Sequence, residues 1–205
     1  MGGNLFVIAA PSGAGKTSLV KALFESTKQL QISVSHTTRP MRPNEVNGQD
    51  YFFIDKQTFD DMIENKAFLE YATVFGNHYG TSREWVLNQL SQDIDVILEI
   101  DWQGAHQVRQ LFPQAILVFI LPPSMDALKT RLQSRQQDNA EIIERRMQAA
   151  QDEISHYREF DYLVVNDQFD IALRDLQHIV LSARLKTNLQ SIKQAVLLEN
   201  LLKMR

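Results

Sequence analysis

The sequence predicts an α/β fold in which a parallel β-sheet is flanked by helices. Strand-like and helix-like segments alternate outside residues 35–81, which is typical of a parallel sheet. Residues 115–121 are wholly apolar, as expected of a strand that is covered on both faces. A glycine-rich turn at residues 10–17 stands between an apolar run and a helix-like segment. Ligands are therefore expected at the carboxyl ends of the strands.

The glycine-rich turn has the composition and the context of a phosphate-binding loop. Gly13 and Gly15 allow the backbone to curl so that successive N–H groups point at one anion, and the next helix directs its positive end there. Lys16 supplies a charge for the β- and γ-phosphates, and the Thr17 hydroxyl is placed to ligate Mg²⁺. Ala10 stands where a first glycine is usual, so an ordinary negative φ is expected there. The turn predicts binding of a nucleoside triphosphate by Ala10, Pro11, Ser12, Gly13, Ala14, Gly15, Lys16 and Thr17.

Composition narrows the class of protein. The 205 residues suit one compact domain, and the formal net charge of −4 provides no overall basic field that would recruit nucleic acid. Because the chain has no cysteine, disulfides, zinc–thiolate sites and thiol catalysis are excluded, and a reducing compartment is expected. The N-terminal apolar run ends at Pro11 without a basic segment before it, so no signal peptide is expected. A soluble cytoplasmic protein that binds no membrane is predicted.

In the first half of the chain, short β-branched and aromatic runs alternate with amphipathic segments. Two prolines exclude a helix at residues 36–50, and Asn47-Gly48 signals a tight turn. A second turn is predicted at residues 76–80. The predicted strands are residues 5–9, 32–35, 51–54 and 68–75, and the predicted helices are residues 17–26, one capped by Asp55, and one capped by Thr81 or Ser82 that runs to about Leu90.

The second half continues the alternation. Pro122-Pro123 end the apolar strand and Ser124 caps the next helix. Residues 131–146 are rich in arginine, with a break at residues 136–139 before a helix to about Tyr157. The remaining strands are residues 95–101 and 162–165, and two amphipathic helices finish the chain. These helices carry an apolar stripe, which consists of Leu185, Leu189, Ile192, Val196 and Leu201. The stripe is expected to pack on the chain's own core, and the alternative is a homodimer contact.

Carboxylates lie at the carboxyl end of the predicted strand 95–101. Glu99 and Asp101 are interpreted, with Thr17, as ligands of Mg²⁺ or of its waters, and the alternative is a capped strand end. Residues 101–104 also fit the D-x-x-G of a GTPase switch. A switch should carry an N-K-x-D motif as well, and the one Asn-Lys pair, Asn65-Lys66, is followed two residues later by Phe68. The switch hypothesis is therefore disfavoured.

A second group of anion-binding side chains lies between residues 39 and 79. Arg39 and Arg42 share a loop stiffened by proline, and Tyr51 and Tyr79 follow. Guanidinium groups match pairs of phosphate oxygens, and phenol hydroxyls donate hydrogen bonds without adding charge. Beside a phosphate-binding loop, this combination predicts a site for an acceptor phosphate opposite the donor.

Three sequence blocks carry a family resemblance. They are S-H-T-T-R-P-x-R-P-x-E-x-x-G-x-x-Y at residues 35–51, F-G-N-x-Y-G-T-S at residues 75–82, and I-D-W-Q-G at residues 100–104. Together they resemble bacterial guanylate kinases over nearly the whole chain. The resemblance implies a core that binds ATP (residues 1–34, 82–125 and 158–205), a small inserted α+β subdomain that binds GMP (35–81), and a helical lid that closes over both (126–157).

The resemblance also implies roles for individual residues in transfer of the γ-phosphate of ATP to GMP or dGMP with Mg²⁺. The GMP ligands would be Ser35, Arg39, Arg42, Glu45, Tyr51, Glu70, Tyr79, Thr81 and Asp101. Besides the loop, the ATP ligands would be Arg131, Arg135 and Asn166, the last as an adenine contact. The catalytic set would be Lys16, Arg42, Arg135 and Arg146, and the metal set Thr17, Glu99 and Asp101.

A carboxylate at Glu70 explains a preference for guanine. Guanine offers N1–H and N2–H₂ donors on one edge, which a carboxylate accepts as a pair, whereas adenine presents an acceptor at N1. Sites built on such bonds reject the wrong partner by about 10⁴-fold. This chemistry argues against a kinase for another monophosphate.

One alternative function and one departure from the family remain. The alternative is a non-catalytic guanylate-kinase-like module that binds phosphopeptides, although such modules typically have a degraded loop and this chain retains Gly13, Gly15, Lys16 and Thr17. The departure is in the lid, where Ser134 and Gln136 flank Arg135 in place of the glycines common in the family. They are expected to stiffen that turn.

Overall fold

The computed structural model describes residues 2–74, 76–134 and 140–203. The strands are β1 (Leu5–Ala9), β2 (Leu30–Ile32), β3 (His36–Thr37), β4 (Phe52–Phe53), β5 (Phe68–Val74), β6 (Asn77–Ser82), β7 (Asp95–Glu99), β8 (Ile116–Leu121) and β9 (Tyr162–Val165). The helices are α1 (Lys16–Ser26), α2 (Lys56–Glu64), α3 (Arg83–Ser91), α4 (Trp102–Leu111), α5 (Met125–Ser134), α6 (Ala140–Ser155), α7 (Phe169–Arg184), α8 (Thr187–Lys193) and α9 (Ala195–Lys203), with a 3-10 helix at His156–Glu159.

The main sheet has five strands in the order β2-β7-β1-β8-β9, and every neighbouring pair is parallel. Alternate residues of β1 point to opposite faces of the main sheet. Phe6 and Ile8 pack with α1 and α7, whereas Leu5 and Val7 pack with α3 and α4. The predicted α/β fold with a parallel sheet flanked by helices is therefore confirmed.

A second, four-stranded sheet is formed entirely by residues 36–82, in the order β4-β3-β6-β5. Strands β5 and β6 form an antiparallel hairpin, and β3 pairs antiparallel with β6 and parallel with β4. Asp55 caps α2 as predicted, because its carboxylate accepts the Thr58 N–H at 2.7 Å. Ser82, one of the two predicted caps, caps α3 in the same way.

The predicted turn at residues 76–80 is wrong, because residues 77–82 form β6. Gly76, directly before β6, has a positive φ of 78°. Gly80 is a strand residue that lies against the Phe68 ring, where an added Cβ would come within 2.8 Å of the ring carbons. The glycine at position 80 thus leaves room for an aromatic ring and does not form a turn. The second strand is also shifted, to Leu30–Ile32 from the predicted residues 32–35.

Three helices rather than two end the chain: α7, α8 and α9. Of the predicted apolar stripe only Leu189 is buried, so the packing of the stripe on the chain's own core is wrong for Leu185, Ile192, Val196 and Leu201, which are exposed. The homodimer contact stays a prediction. Among the described residues, no helix is long and apolar enough to cross a membrane.

Helices α5 and α6 pack on one another through Leu128, Leu132, Ile143 and Ala150. Their ends at Ser134 and Ala140 flank the break that was predicted at residues 136–139, which lies outside the described residues. Arg135 and Gln136 lie outside them as well.

Candidate active site

The loop between β1 and α1 has the backbone that its glycines predict. Gly13 and Gly15 have φ values of 93° and 94°, whereas Ala10 is not among the residues with positive φ. The predicted ordinary backbone at Ala10 is confirmed. A side chain would also be crowded at both positions, since a Cβ on Gly13 would lie 2.9 Å from Leu132 Cδ2 and one on Gly15 2.3 Å from Asn166 Nδ2.

Two side chains hold the outer side of this loop. The Asn166 amide donates a buried hydrogen bond of 2.8 Å to the Ala14 carbonyl. The Arg131 guanidinium donates to the same carbonyl at 3.4 Å and to the Asn166 carbonyl at 2.9 Å. Both predicted ATP ligands therefore contact the phosphate-binding loop.

Lys16 and Thr17 begin α1 and face the carboxyl end of β7. Lys16 Nζ donates to the Ile100 carbonyl at 3.2 Å, and Thr17 Oγ1 donates to Glu99 Oε2 at 3.3 Å. No cluster of three or more acidic, histidine or cysteine side chains that could hold a metal occurs within the described ranges. A hydroxyl beside one carboxylate nevertheless fits Mg²⁺, which usually takes one or two protein ligands and completes its shell with water and substrate phosphates.

Asp101 is the N-cap of α4. Its two carboxylate oxygens accept the Gly104 N–H at 3.0 Å and the Gln103 side-chain amide at 3.1 Å. A capped strand end was the predicted alternative to metal binding, and these hydrogen bonds of Asp101 agree with that alternative. Each Asp101 oxygen accepts only one of these bonds, so the carboxylate retains acceptor capacity for a metal or for guanine.

One cleft of about 850 Å³ connects the two predicted phosphate sites. Lys16, Thr17 and Glu99 line its donor end. Its other end is lined by Arg39, Arg42, Tyr51 and Tyr79, which we call the arginine–tyrosine cluster. The volume is within the range of pockets that enclose ligands of nucleotide size. Glu45 and Ser35 also line this cleft.

Glu45 fixes Arg39 within the arginine–tyrosine cluster. The two side chains form a bidentate ion pair of 2.7 and 3.0 Å, and the Glu45 carboxylate also accepts the Arg42 N–H at 2.7 Å. The Arg39 hydrogen bonds hold the pKa of Glu45 below its usual range. The Arg39 guanidinium also lies over the rings of Tyr51 and Phe53, at 5.4 and 5.5 Å from their centroids. Glu45 thus orients an arginine of the cluster, and its own contact with GMP stays a prediction.

The two tyrosines of the cluster pack edge to face, with 5.9 Å between ring centroids. Burial raises the pKa of Tyr51 to about 12. Its hydroxyl therefore keeps its proton across the physiological range and can act as a neutral hydrogen-bond donor to a phosphate oxygen.

Glu70 lies on β5 and is only 3% exposed. Thr81 Oγ1, from the neighbouring strand β6, donates a hydrogen bond of 2.5 Å to Glu70 Oε1. Burial, with a smaller contribution from the Asp101 carboxylate, raises the pKa of Glu70 to about 7. A Cβ on Gly104 would lie only 2.4 Å from Glu70 Oε2, so the first turn of α4 leaves room for this carboxylate.

Two residues of the site, Glu153 and Ser33, are not predicted from the sequence. Glu153, on α6, accepts a hydrogen bond from the Ser12 N–H, and burial raises its pKa to about 7 despite the nearby Lys16. Ser33 is buried and lines the cleft, and its hydroxyl has no hydrogen-bond partner in the described part of the chain. No sequence signal distinguishes either residue. Arg146 lies on α6 and Arg135 lies outside the described residues.

A phosphate-binding loop on the central strand of a parallel sheet, opening on a cleft with an arginine–tyrosine cluster, defines a P-loop nucleotide-binding α/β protein. The guanylate kinase family model matches residues 2–183. The chain is 56% identical over 198 residues to the guanylate kinase of Coxiella burnetii, covering 97% of this chain and 96% of that protein. It is 56% identical over 200 residues to that of Legionella pneumophila, covering 98% and 96%. The chain therefore belongs to the guanylate kinase family.

A solved structure agrees with this assignment. The crystal structure of guanylate kinase from Anaplasma phagocytophilum superposes with a TM-score of 0.77 at 31% identity. The match covers 90% of this chain and 88% of that one. The similarity thus extends over most of both chains.

We expect Glu70→Gln to reduce the loss of stability between pH 5 and pH 8. A carboxyl whose pKa is raised on folding contributes stability that is present below its unfolded pKa of about 4.5 and is lost as the pH rises through about 7. At about 1.4 kcal/mol for each pH unit, that loss is roughly 3 kcal/mol. Urea unfolding at the two pH values measures it. The exposed Glu84→Gln is the control, and an equal loss in wild type and Glu70→Gln would contradict the prediction.

We expect Gly104→Ala to weaken GMP binding by about tenfold or more and to destabilise the fold by about 1–3 kcal/mol, because the new Cβ displaces Glu70. Helix propensity alone predicts the opposite sign, since alanine is favoured over glycine by about 1 kcal/mol. Calorimetric titration with GMP and thermal melting measure both effects. In a Glu70→Ala background the same substitution should be neutral or stabilising. Stabilisation with Glu70 present would show that the contact is unimportant.

Proposed function

We propose that the chain transfers the γ-phosphate of ATP to GMP or dGMP, forming ADP and GDP or dGDP. The observation that carries the proposal is the single cleft that is lined at one end by Lys16 and Thr17 and at the other by the arginine–tyrosine cluster. Membership of the guanylate kinase family supports the same reaction.

At the donor end, backbone N–H groups of residues 10–17 and the N-terminus of α1 are suited to the ATP phosphates. Lys16 neutralises the β- and γ-phosphates. Arg131 and Asn166 belong to this site through Ala14. Thr17 and Glu99, with Asp101 as a further candidate, would hold Mg²⁺, which would supply charge neutralisation at the phosphates. Arg135 and Arg146 of the lid would add positive charge around the transferred group.

At the acceptor end, the arginine–tyrosine cluster is suited to the GMP phosphate, with Glu45 holding Arg39 in place. Glu70 is proposed to accept N1–H and N2–H₂ of guanine. Thr81 orients one oxygen of Glu70, and Gly104 leaves space for the other. Ser35 and Asp101 complete the proposed guanine contacts.

The reaction needs alignment and charge neutralisation rather than covalent help from the protein. The bond between the γ-phosphorus and the bridging oxygen of ATP breaks, and a bond from a GMP phosphate oxygen to the γ-phosphorus forms. The acceptor oxygen is already anionic, so no general base is required. Closure of the lid would exclude water, which otherwise competes as the acceptor.

The alternative is a non-catalytic module that binds phosphopeptides. The complete loop geometry at Gly13 and Gly15, together with the Lys16 and Thr17 contacts, favours the kinase, since a phosphopeptide module has no use for a donor site. A cytoplasmic location and a homodimer stay predictions of the composition and of the exposed apolar stripe.

An assay of ADP release tests the proposal directly. The full chain is incubated with ATP, Mg²⁺ and, in turn, GMP, dGMP, AMP, UMP and dTMP. We expect turnover with GMP and dGMP and at least about 10³-fold lower kcat/KM with the others, because they lack the paired donors that Glu70 accepts. Equal turnover with AMP would contradict the assigned role of Glu70. Absence of turnover with every acceptor would favour the binding module.

Two substitutions should separate the ends of the cleft. Lys16→Ala is expected to lower kcat by at least about 10²-fold with GMP binding retained, because it removes charge from the transferred group. Arg42→Ala is expected to raise the KM for GMP by about 10- to 100-fold, since a charge-assisted bond to phosphate is lost.

Steady-state kinetics with each substrate varied in turn measures both effects. Arg83→Ala, at an exposed position on α3 away from the cleft, is the control. An Arg42→Ala effect confined to ATP would contradict the placement of Arg42, and equal loss of GMP binding and turnover in Lys16→Ala would contradict that of Lys16.

A further inference from the structure

Asn166 contacts the phosphate-binding loop from outside the cleft. It follows β9, is only 6% exposed and is not among the residues that line the cleft. Its side-chain amide nitrogen lies 2.8 Å from the carbonyl oxygen of Ala14, which is itself fully buried. A buried amide–carbonyl bond of this kind is costly to leave unmade.

The Ala14 carbonyl controls the direction of the next backbone N–H. In a planar trans peptide the C=O and N–H bonds point in opposite directions. A hydrogen bond that holds the Ala14 carbonyl toward Asn166 therefore turns the Gly15 N–H to the opposite side of the peptide, where an anion in the loop would lie. Gly15 adopts φ 94°, which leaves this peptide free of the restraint that a side chain would impose.

Arg131 reinforces the same peptide from the lid. Its guanidinium donates to the Ala14 carbonyl at 3.4 Å and to the Asn166 backbone carbonyl at 2.9 Å, which joins α5, the loop and the end of β9. The contact also explains why residue 15 must be glycine, since a Cβ there would lie 2.3 Å from the Asn166 amide nitrogen.

We propose that Asn166 is a positioning residue of the phosphate-binding loop, which orients the Ala14–Gly15 peptide so that the Gly15 N–H faces the polyphosphate of the donor, with Arg131 as a second anchor. This inference rests on the proposed function only in that the loop binds the donor triphosphate. The adenine contact predicted for Asn166 would depend on the base of the donor. The proposed positioning role would not, and it is additional to that contact.

The test compares donors with and without a base. The full-length wild type and Asn166→Ala are titrated by calorimetry with ATP, UTP and inorganic tripolyphosphate, each with Mg²⁺, and separately with GMP. We expect Asn166→Ala to weaken all three polyphosphate ligands by a similar factor of about 5- to 10-fold, the effect of losing one buried hydrogen bond. The GMP affinity of the variant should stay within about twofold of the wild-type value. Retained GMP binding shows that the variant is folded.

Asn166→Asp is the second variant, because it keeps the side-chain volume and replaces the donor with an acceptor that repels the Ala14 carbonyl. It should weaken the three ligands at least as much as Asn166→Ala. Gln168→Ala is the matched control, since Gln168 is exposed two residues away and makes no side-chain cap bond to α7.

A loss confined to ATP in both variants would identify an adenine contact and overturn the positioning role, as would no loss for any of the three ligands. These results are distinct from failure of the proposed function, in which the wild type itself would bind no triphosphate and release no ADP in the presence of GMP.

Discussion

The parallel alignment of the main sheet is the constraint on which the donor site depends. Strands β1, β7 and β9 all end at the same edge, so residues that are more than 80 positions apart in the chain meet around one loop. Lys16 follows β1 and contacts the end of β7, and Asn166 follows β9 and contacts the loop. Reversal of any one of these strands would carry its side chain to the opposite end of the sheet.

The proposed acceptor side is built differently, from polar side chains that are buried or partly buried. Glu70 is almost fully buried and Tyr51 is partly buried at the wall of the cleft, and burial raises the pKa of each. A buried carboxylate lowers the stability of the empty protein above pH 7, and a ligand that presents paired N–H donors to it offsets that cost. In the proposed function, Glu70 thereby exchanges stability of the empty protein for selectivity toward guanine.

Local patterns in the sequence predicted the parts of the structure that depend on short-range chemistry. The glycines of the loop, the Asp55 cap and the buried strand β8 follow from propensity and hydrophobic pattern. The hairpin strand β6 was missed because Gly80, which lies against Phe68, resembles a turn residue. The contacts of Glu153 with the loop could not be predicted, because they join residues that are far apart in sequence and lie on an ordinary polar helix face.

Helices α5 and α6, which form the predicted lid, contact the phosphate-binding loop. Leu128 and Leu132 of α5 occupy the space beside Gly13, and Arg131 of the same helix donates to the Ala14 carbonyl. On α6, Glu153 accepts the Ser12 N–H. A displacement of α5 or α6 would therefore strain or break contacts to the loop that is proposed to bind the donor phosphates. In this arrangement two helices that are distant in sequence from residues 12–14 help to set the backbone conformation of the loop, because their side chains bond to the Ser12 N–H and the Ala14 carbonyl.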